Sequence, residues 1–345
     1  MRVIKILLFL MVALFHQGVK GQAIGDTLIG GNLPEVQVTA QHYLRYTIGS
    51  RTTQLDSAYL QINNAATLAD VLQSRSPIYL KSYGNGMLST ISFRGTSASQ
   101  TAVLWNGFNI NLPTLGQTDF SQIPVTAVQA VQLQHGSGSA NFGTGAIGGT
   151  VLLSSQANWQ PGWQFRAQQD FGSFGYNFRQ LAGKFSSKKV SVETSFYRRL
   201  AENNFEFKNT TQFGAPVQRQ ENASINQWGL TTNLNLRLNS RNIVAIRNWF
   251  TNNNDQSQPN MVAANTHARL ANRNWRLMGE WTNHAKMART IVRAAYFSDY
   301  MRYRDDNTFS ETQVNTYQAQ AEHSFTLAKK LTLTQAVIFN ILRPR

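Results

Sequence analysis

The side chains able to do acid–base or nucleophilic work are few and scattered. Six histidines occur without the i,i+4 or Cys/His spacings that hold metals. Cysteine is absent, which removes thiolate ligands and disulfides together. No nucleophile–histidine–acid set and no paired carboxylates stand out, so no catalytic residue, metal ligand or cofactor is assigned, and an enzyme is not expected. The glycine-rich run His135–Gly149 could cradle a phosphate on its amides, but no Gly-Lys-Ser/Thr follows and no helical pattern opens. Tight turns and close backbone packing account better for these glycines. One segment has a different chemistry to offer. Leu33, Pro34, Glu35, Val36, Gln37, Val38, Thr39 and Ala40 read as extended chain, and such a segment can add a strand to a partner's sheet edge through main-chain bonds.

The elements around these residues begin with an address. Arg2 and Lys5 precede the apolar run Ile6–Phe15, and small residues follow near Gly21 and Ala23. That order predicts a cleaved export signal over residues 1–22. The run is far shorter than the ~20 residues that cross a bilayer as a helix. No later segment is a helical span either, so a membrane role must come from strands.

The net charge of +15 is unevenly distributed. Residues 24–155 balance five basic side chains against five acidic ones, and residues 156–345 carry a net +12. Those charges sit singly along strand-like segments, not on one helix or arm. They describe a solvated polar face, and nucleic acid is not expected as a partner.

Two regions differ in grammar. Residues 23–65 read as a polar lead and linker, and 66–155 as a mixed α/β domain. There Thr67 can cap a short helix with apolar Leu68, Val71 and Leu72, and Asp70 follows three after the cap. Strand-like runs at Thr90–Arg94 and Thr101–Trp105 follow, the second ending in the hairpin signal Asn106-Gly107. Residues 160–345 alternate with period two, as in Trp228, Leu230, Leu234 and Leu236 against Gly229, Thr231, Asn233 and Asn235. Nine strands are predicted: 163–171, 175–185, 189–200, 225–238, 241–251, 273–283, 288–301, 314–327 and 331–341. Short turns near 186–188, 239–241, 284–287 and 328–330 alternate with long polar connections near 201–224, 252–272 and 304–313. This is the rhythm of an antiparallel transmembrane β-barrel. Trp163, Trp249, Phe250, Trp275, Trp281, Tyr300 and Tyr303 near strand ends fit its interface girdles. Nine is odd, and an edge in hydrocarbon cannot stay unpaired. The barrel is therefore expected to be incomplete, with about nine of the about 22 strands found in barrels that hold a plug.

Residues 33–40 and 66–153 resemble the TonB-dependent outer-membrane receptors, and the cobalamin-receptor branch in particular. The resemblance rests on Leu68-Ala69-Asp70-Val71-Leu72, Ser92-Phe93-Arg94-Gly95-Thr96, Trp105-Asn106-Gly107, Asn111-Leu112, Ile123-Pro124 and Phe142-Gly143-Thr144-Gly145-Ala146-Ile147-Gly148-Gly149, in that order. It implies a plug inside a 22-stranded barrel of the cell outer membrane, among its lipids. It implies too that residues 33–40 are a TonB box recruiting the energy-transducing protein TonB, although they would also read as a first plug strand or a linker.

Arg94 matches the family's plug arginine, which implies a locking role against barrel carboxylates. A buried guanidinium needs such partners, and Glu193, Glu280 and Glu322 are candidates. Leu88, Thr90, Ser97, Leu115 and Gly116 match the branch's apical ligand contacts, and they would also read as plain apical turns. The ligand expected is a large, scarce metal chelate, a corrinoid such as cobalamin. A ferric siderophore is the alternative, since the net +12 of the barrel part suits an anionic chelate. A passive channel or adhesin is the rival class, and a surface lipoprotein is a further candidate partner. His135-Gly136 stands where the family has arginine-glycine, and Trp105-Asn106-Gly107 replaces its acidic turn. These departures bear on the ligand and leave the fold expectation intact.

Overall fold

A computed structural model describes residues 49–143, 145–262, 267–328 and 331–344 of the chain. The expected export signal and the segment Leu33–Ala40 lie outside the described residues.

The first part is built on strands β1 (Arg51–Gln54), β4 (Thr101–Trp105), β5 (Phe108–Asn109), β6 (Ala130–His135) and β7 (Gly149–Ser154), in the order β1-β6-β7-β4-β5. β4 and β7 run parallel, and β6 is antiparallel to both β7 and β1. A separate hairpin pairs β2 (Tyr79–Ser82) with β3 (Ser89–Ser92). The sheet recruits β1 ahead of residue 66, where sequence placed the start of this domain. Arg-Thr-Thr-Gln has no apolar alternation, so nothing local marks it as a strand.

Local signals explain most of the rest. Thr67 Oγ1 accepts from the Asp70 amide at 3.2 Å, while Asp70 accepts from the Thr67 amide at 2.9 Å, closing the expected capping box on the helix Leu68–Arg75. Its Leu68, Val71 and Leu72 are buried in one apolar cluster with Phe120, Val131 and Leu153. Asn106 and Gly107 both take positive φ, 48° and 93°, and turn β4 into β5 with Trp105 opposite Phe108. That is the geometry for which Asn-Gly is favoured in a two-residue hairpin.

The second part is an antiparallel meander of nine strands. It starts with β8 (Gly162–Phe171), β9 (Asn177–Ser186) and β10 (Val190–Ala201). A small hairpin of β11 (Glu206–Lys208) and β12 (Val217–Arg219) interrupts it. It continues as β13 (Ile225–Arg237), β14 (Asn242–Gln256), β15 (Arg269–His284), β16 (Ala288–Arg304), β17 (Phe309–Ala328) and β18 (Leu331–Pro344). All nine strands predicted from sequence are present. Among the described residues the edge strands β8 and β18 do not pair with each other, so the sheet is open.

Residue parity separates the two faces. Ser195, Gln227, Thr231, Asn235, Asn253, Asn274 and Gln318 are buried on the concave face, against the first part. Their neighbours Phe196, Leu230, Ile246, Trp275, Leu277, Trp281, Val292 and Tyr317 are exposed on the convex face. There, Phe196, Trp228 and Phe250 run ring to ring across three strands, and Trp275, Tyr296 and Tyr317 across three more. A polar inside and an aromatic-banded apolar outside are the reverse of a soluble sheet.

Two expectations change. The connection at 304–313 shrinks to residues 305–308, because Phe309–Gln313 still pair with Tyr300–Arg304. Strand segments beyond the apolar band have no apolar face, so alternation cannot reveal them. Trp249, expected in a girdle, points inward and is buried. Phe250 takes the outer face, and adjacent strand residues must face opposite ways.

Candidate functional site

The apical turn of the first part runs from Tyr83 to Leu88, closed by the Tyr83 amide donating to Leu88 O at 3.1 Å. Gly84 and Gly86 have φ of 134° and 73°, and a side chain on Gly86 would collide with Ile225 at the start of β13. Asn85 Nδ2 donates to Asn203 Oδ1 at 2.8 Å, so the turn reaches the long-loop end of the wall. Of the residues matched to ligand contact, Leu88 is half-buried and Thr90 buried at the base of this turn. Ser97, Leu115 and Gly116 are exposed on two adjoining turns. Ser97 Oγ lies 3.0 Å from Ser99 Oγ, and Gly116 packs beside the Ser99 side chain. The five residues therefore form two groups.

A residue missed in the sequence organises the turns. Asp119 Oδ1 accepts from the Ser89 amide at 2.9 Å, the Ser121 amide at 3.0 Å and Ser121 Oγ at 2.7 Å. It thereby pins the first residue of β3, at the foot of the apical turn, to the segment that follows Gly116. Its signal was the Asp-x-Ser spacing of an Asx turn. Burial raises the Asp119 pKa above the ordinary carboxylate value, partly offset by the bonds from Ser89, Ser121 and Gln122. A raised carboxyl pKa means the folded state holds its proton to higher pH than the unfolded chain. Stability should thus rise as pH falls from the raised value toward about 4, and level off below it. The three bonds from Ser89 and Ser121 go to one oxygen, so Asp119→Asn can keep them. Urea titrations of the variant should show this part of the pH dependence flattened, with stability at acid pH unchanged.

Polar contacts join the plug-like part to the wall. Asn64 Nδ2 donates to Gln168 at 2.8 Å and Gln180 at 2.7 Å, and Gln129 Nε2 donates to Glu193 at 2.7 Å. Arg199 Nη2 donates to Ser121 O at 3.2 Å, and its Nε donates to Gln227 Oε1 at 3.0 Å. Gln227 Nε2 donates on to Asp255 at 2.7 Å, carrying the chain of bonds to the outer end of β14. One apolar anchor interrupts this wet interface. Trp105 lies 5.8 Å from Trp249 and 6.2 Å from Phe297, and Phe108 lies 6.3 Å from Phe297, all between ring centroids. Met278 is buried in the same cluster. Arg276 stacks over Trp249 at 4.7 Å and reaches Asp299 at 3.4 Å.

Arg94 occupies an exposed left-handed turn with φ of 51°, followed by Gly95 at 81°. Among the described residues it joins no ion pair. Burial first, and then the guanidinium groups of Arg51 and Arg94, hold His135 below the ordinary imidazole value, which places Arg94 near the end of β6. The three carboxylates considered for it are occupied elsewhere. Glu193 takes Gln129, Glu280 lies 3.5 Å from Arg293, and Glu322 accepts from Ser324 at 3.3 Å.

Residues 45–150 match the model of the TonB-dependent receptor plug domain. The vitamin B12 transporter BtuB of Photobacterium profundum is 36% identical over 119 residues, 34% of this chain and 19% of that protein. The vitamin B12 transporter BtuB of Vibrio vulnificus is 30% identical over 123 residues, covering 35% and 20%. The crystal structure of the siderophore receptor PiuA from Acinetobacter baumannii superposes with a TM-score of 0.64 at 14% identity. It covers 84% of this chain and 45% of that one, which shows a shared fold. The matches span about a fifth of the curated relatives' length. The matched family is one of receptors, not enzymes.

Proposed function

We propose, from the premise that this chain carries a TonB-dependent receptor plug and the wall strands that follow it, that it serves energised uptake of a large, scarce ligand across the outer membrane. The observation that carries the reading is the pairing of faces. A folded plug sits on the polar concave side of a sheet whose convex side is banded with apolar and aromatic groups. The convex face suits hydrocarbon, and the concave face suits a hydrated, removable stopper.

In this reading the ligand docks on the plug's apical turns, through Leu88, Thr90, Ser97, Leu115 and Gly116. Residues 33–40 recruit TonB, and a pull on them rearranges the plug. Arg94 locks the plug by pairing with carboxylates other than those on the nine strands described here. Cobalamin is the favoured ligand, because the sequence similarity to vitamin B12 transporters falls on the plug. A ferric siderophore is the second reading, supported by the net +12 of residues 156–345 and by the fold shared with a siderophore receptor.

Equilibrium binding to the full-length receptor decides between them. Tight binding of cyanocobalamin with none of a ferric-siderophore panel is expected. The opposite result overturns the ligand, and binding of neither overturns the receptor reading.

A further inference from the structure

The convex face carries a second kind of site at its outer end, above the aromatic band. Arg269 of β15 and Arg304 of β16 are directly opposite one another in the ladder, and Arg302 sits across from Ala271 one step below on the same face. All three arginines are exposed. Like charges directly opposed in a sheet repel, and none of the three joins an ion pair among the described residues. The nearby acids make other bonds or face the arginines without an ion pair. Asp306 takes His267 at 3.0 Å, and Asp305 takes the Tyr303 hydroxyl at 3.2 Å and the Asp306 amide at 2.7 Å. Glu311 is opposite Arg302 in the ladder without bonding it.

The small side chain of Ala271 leaves a dent between these arginines. A cavity of about 220 Å³ opens there, lined by Asn254, Arg269, Ala271, Arg302, Arg304 and Phe309. Its walls offer three fork-shaped cations, one amide and one exposed aromatic ring. The cavity's height matters as much as its lining. Ala271 lies four residues beyond Trp275, the last ring of the aromatic band on β15, so about 13 Å along the strand. With strands tilted by about 45°, that is roughly 9 Å along the membrane normal, within the headgroup zone.

We propose that this cavity binds the phosphorylated headgroup of an outer-leaflet lipid. Guanidinium forks match phosphate oxygens two at a time, and a bound phosphate cancels the repulsion between Arg269 and Arg304. The ring of Phe309, 65% exposed, flanks the same cavity. The inference rests on the membrane reading of the convex face, and its test separates the two.

The full-length receptor in detergent is titrated with short-chain phosphatidic acid, short-chain phosphatidylcholine and inorganic phosphate. Native mass spectrometry reads the bound adducts. Phosphatidic acid should bind saturably and phosphatidylcholine should not. Phosphate alone should bind at least about tenfold more weakly, lacking the chains. Replacing Arg269, Arg302 and Arg304 by Gln together should lower the phosphatidic acid affinity about a hundredfold. The substitution removes like-charge repulsion, so the fold should survive, as heat-modifiable gel mobility reports. Undiminished binding by the triple variant, equal binding of phosphatidylcholine, or phosphate as tight as the lipid each overturns the proposal. Quenching of Trp275 and Trp281 fluorescence by brominated phosphatidylcholine tests the membrane reading alone. Without quenching that reading fails, whatever the arginines do.

Discussion

Deleting residues 33–40 should abolish energised uptake and leave ligand binding at the cell surface intact. The outer membrane holds no energy source of its own in this reading, so coupling passes through a physical link. An extended segment links through main-chain bonds, which carry affinity almost regardless of side chain. That separates two point variants. Val38→Ala keeps every backbone donor and should transport within about twofold of the parent. Val38→Pro removes a donor and fixes φ, and it should lower uptake about a hundredfold or more. Uptake of labelled ligand into whole cells, beside binding to isolated membranes, reads both outcomes. A deletion that still accumulates ligand would place this protein among passive channels.

The second large effect is expected at Trp105. Most contacts between plug and wall are amides, hydroxyls and carboxylates bridging across at 2.7–3.3 Å. Each of these exchanges readily with water and contributes little net binding. The Trp105–Trp249–Phe297 cluster cannot make that exchange. Truncating a large buried aromatic costs about 3–5 kcal/mol, through lost transfer energy and the cavity left behind. Trp105→Ala should therefore loosen the plug in the wall as well as weaken it internally. The expected readouts are an earlier urea transition for the plug and sensitisation of cells to large antibiotics that the outer membrane normally excludes. Phe297→Ala, on the wall side, should give the same leak with a smaller change in the plug's own unfolding. An unaltered antibiotic response in both variants would show that the polar contacts alone hold the plug.

The wall was legible because a half-apolar strand must alternate, and alternation survives in sequence whatever the tertiary partner is. Facing was legible where the pattern is clean, as at Trp228–Leu236. It failed at Trp249-Phe250, where two aromatics are adjacent and only one can face outward. The hairpin extension at Phe309–Gln313 was invisible because both of its faces are solvated. In the plug, Thr67 and Asp70 announced a helix start, and Asn106-Gly107 announced a turn, because each meets a local backbone demand. β1 was silent, and Asp119 offered only its local Asx-turn spacing, for the opposite reason. Their roles depend on Ser89 and on β6, which no nearby residue reveals. Arg199, Arg276 and Arg293 looked like the other charges of the basic half. Their burial against the plug follows from strand parity and curvature, and charge alone carries no such information.

The order of strands in the two parts has a kinetic consequence. In the wall every main ladder joins chain neighbours, β8 with β9 through to β17 with β18, apart from β10 with β13 across the small hairpin. In the plug sheet two of the four ladders join distant segments. Arg51 pairs with His135, and Thr101 with Gly149. Loop closure must be overcome before such contacts reward the chain, which makes them slow to form. The last strand made, β7, also takes the central place between β6 and β4. During synthesis, the plug sheet therefore stays uncommitted until residues 149–154 arrive, whereas the wall can assemble one hairpin at a time.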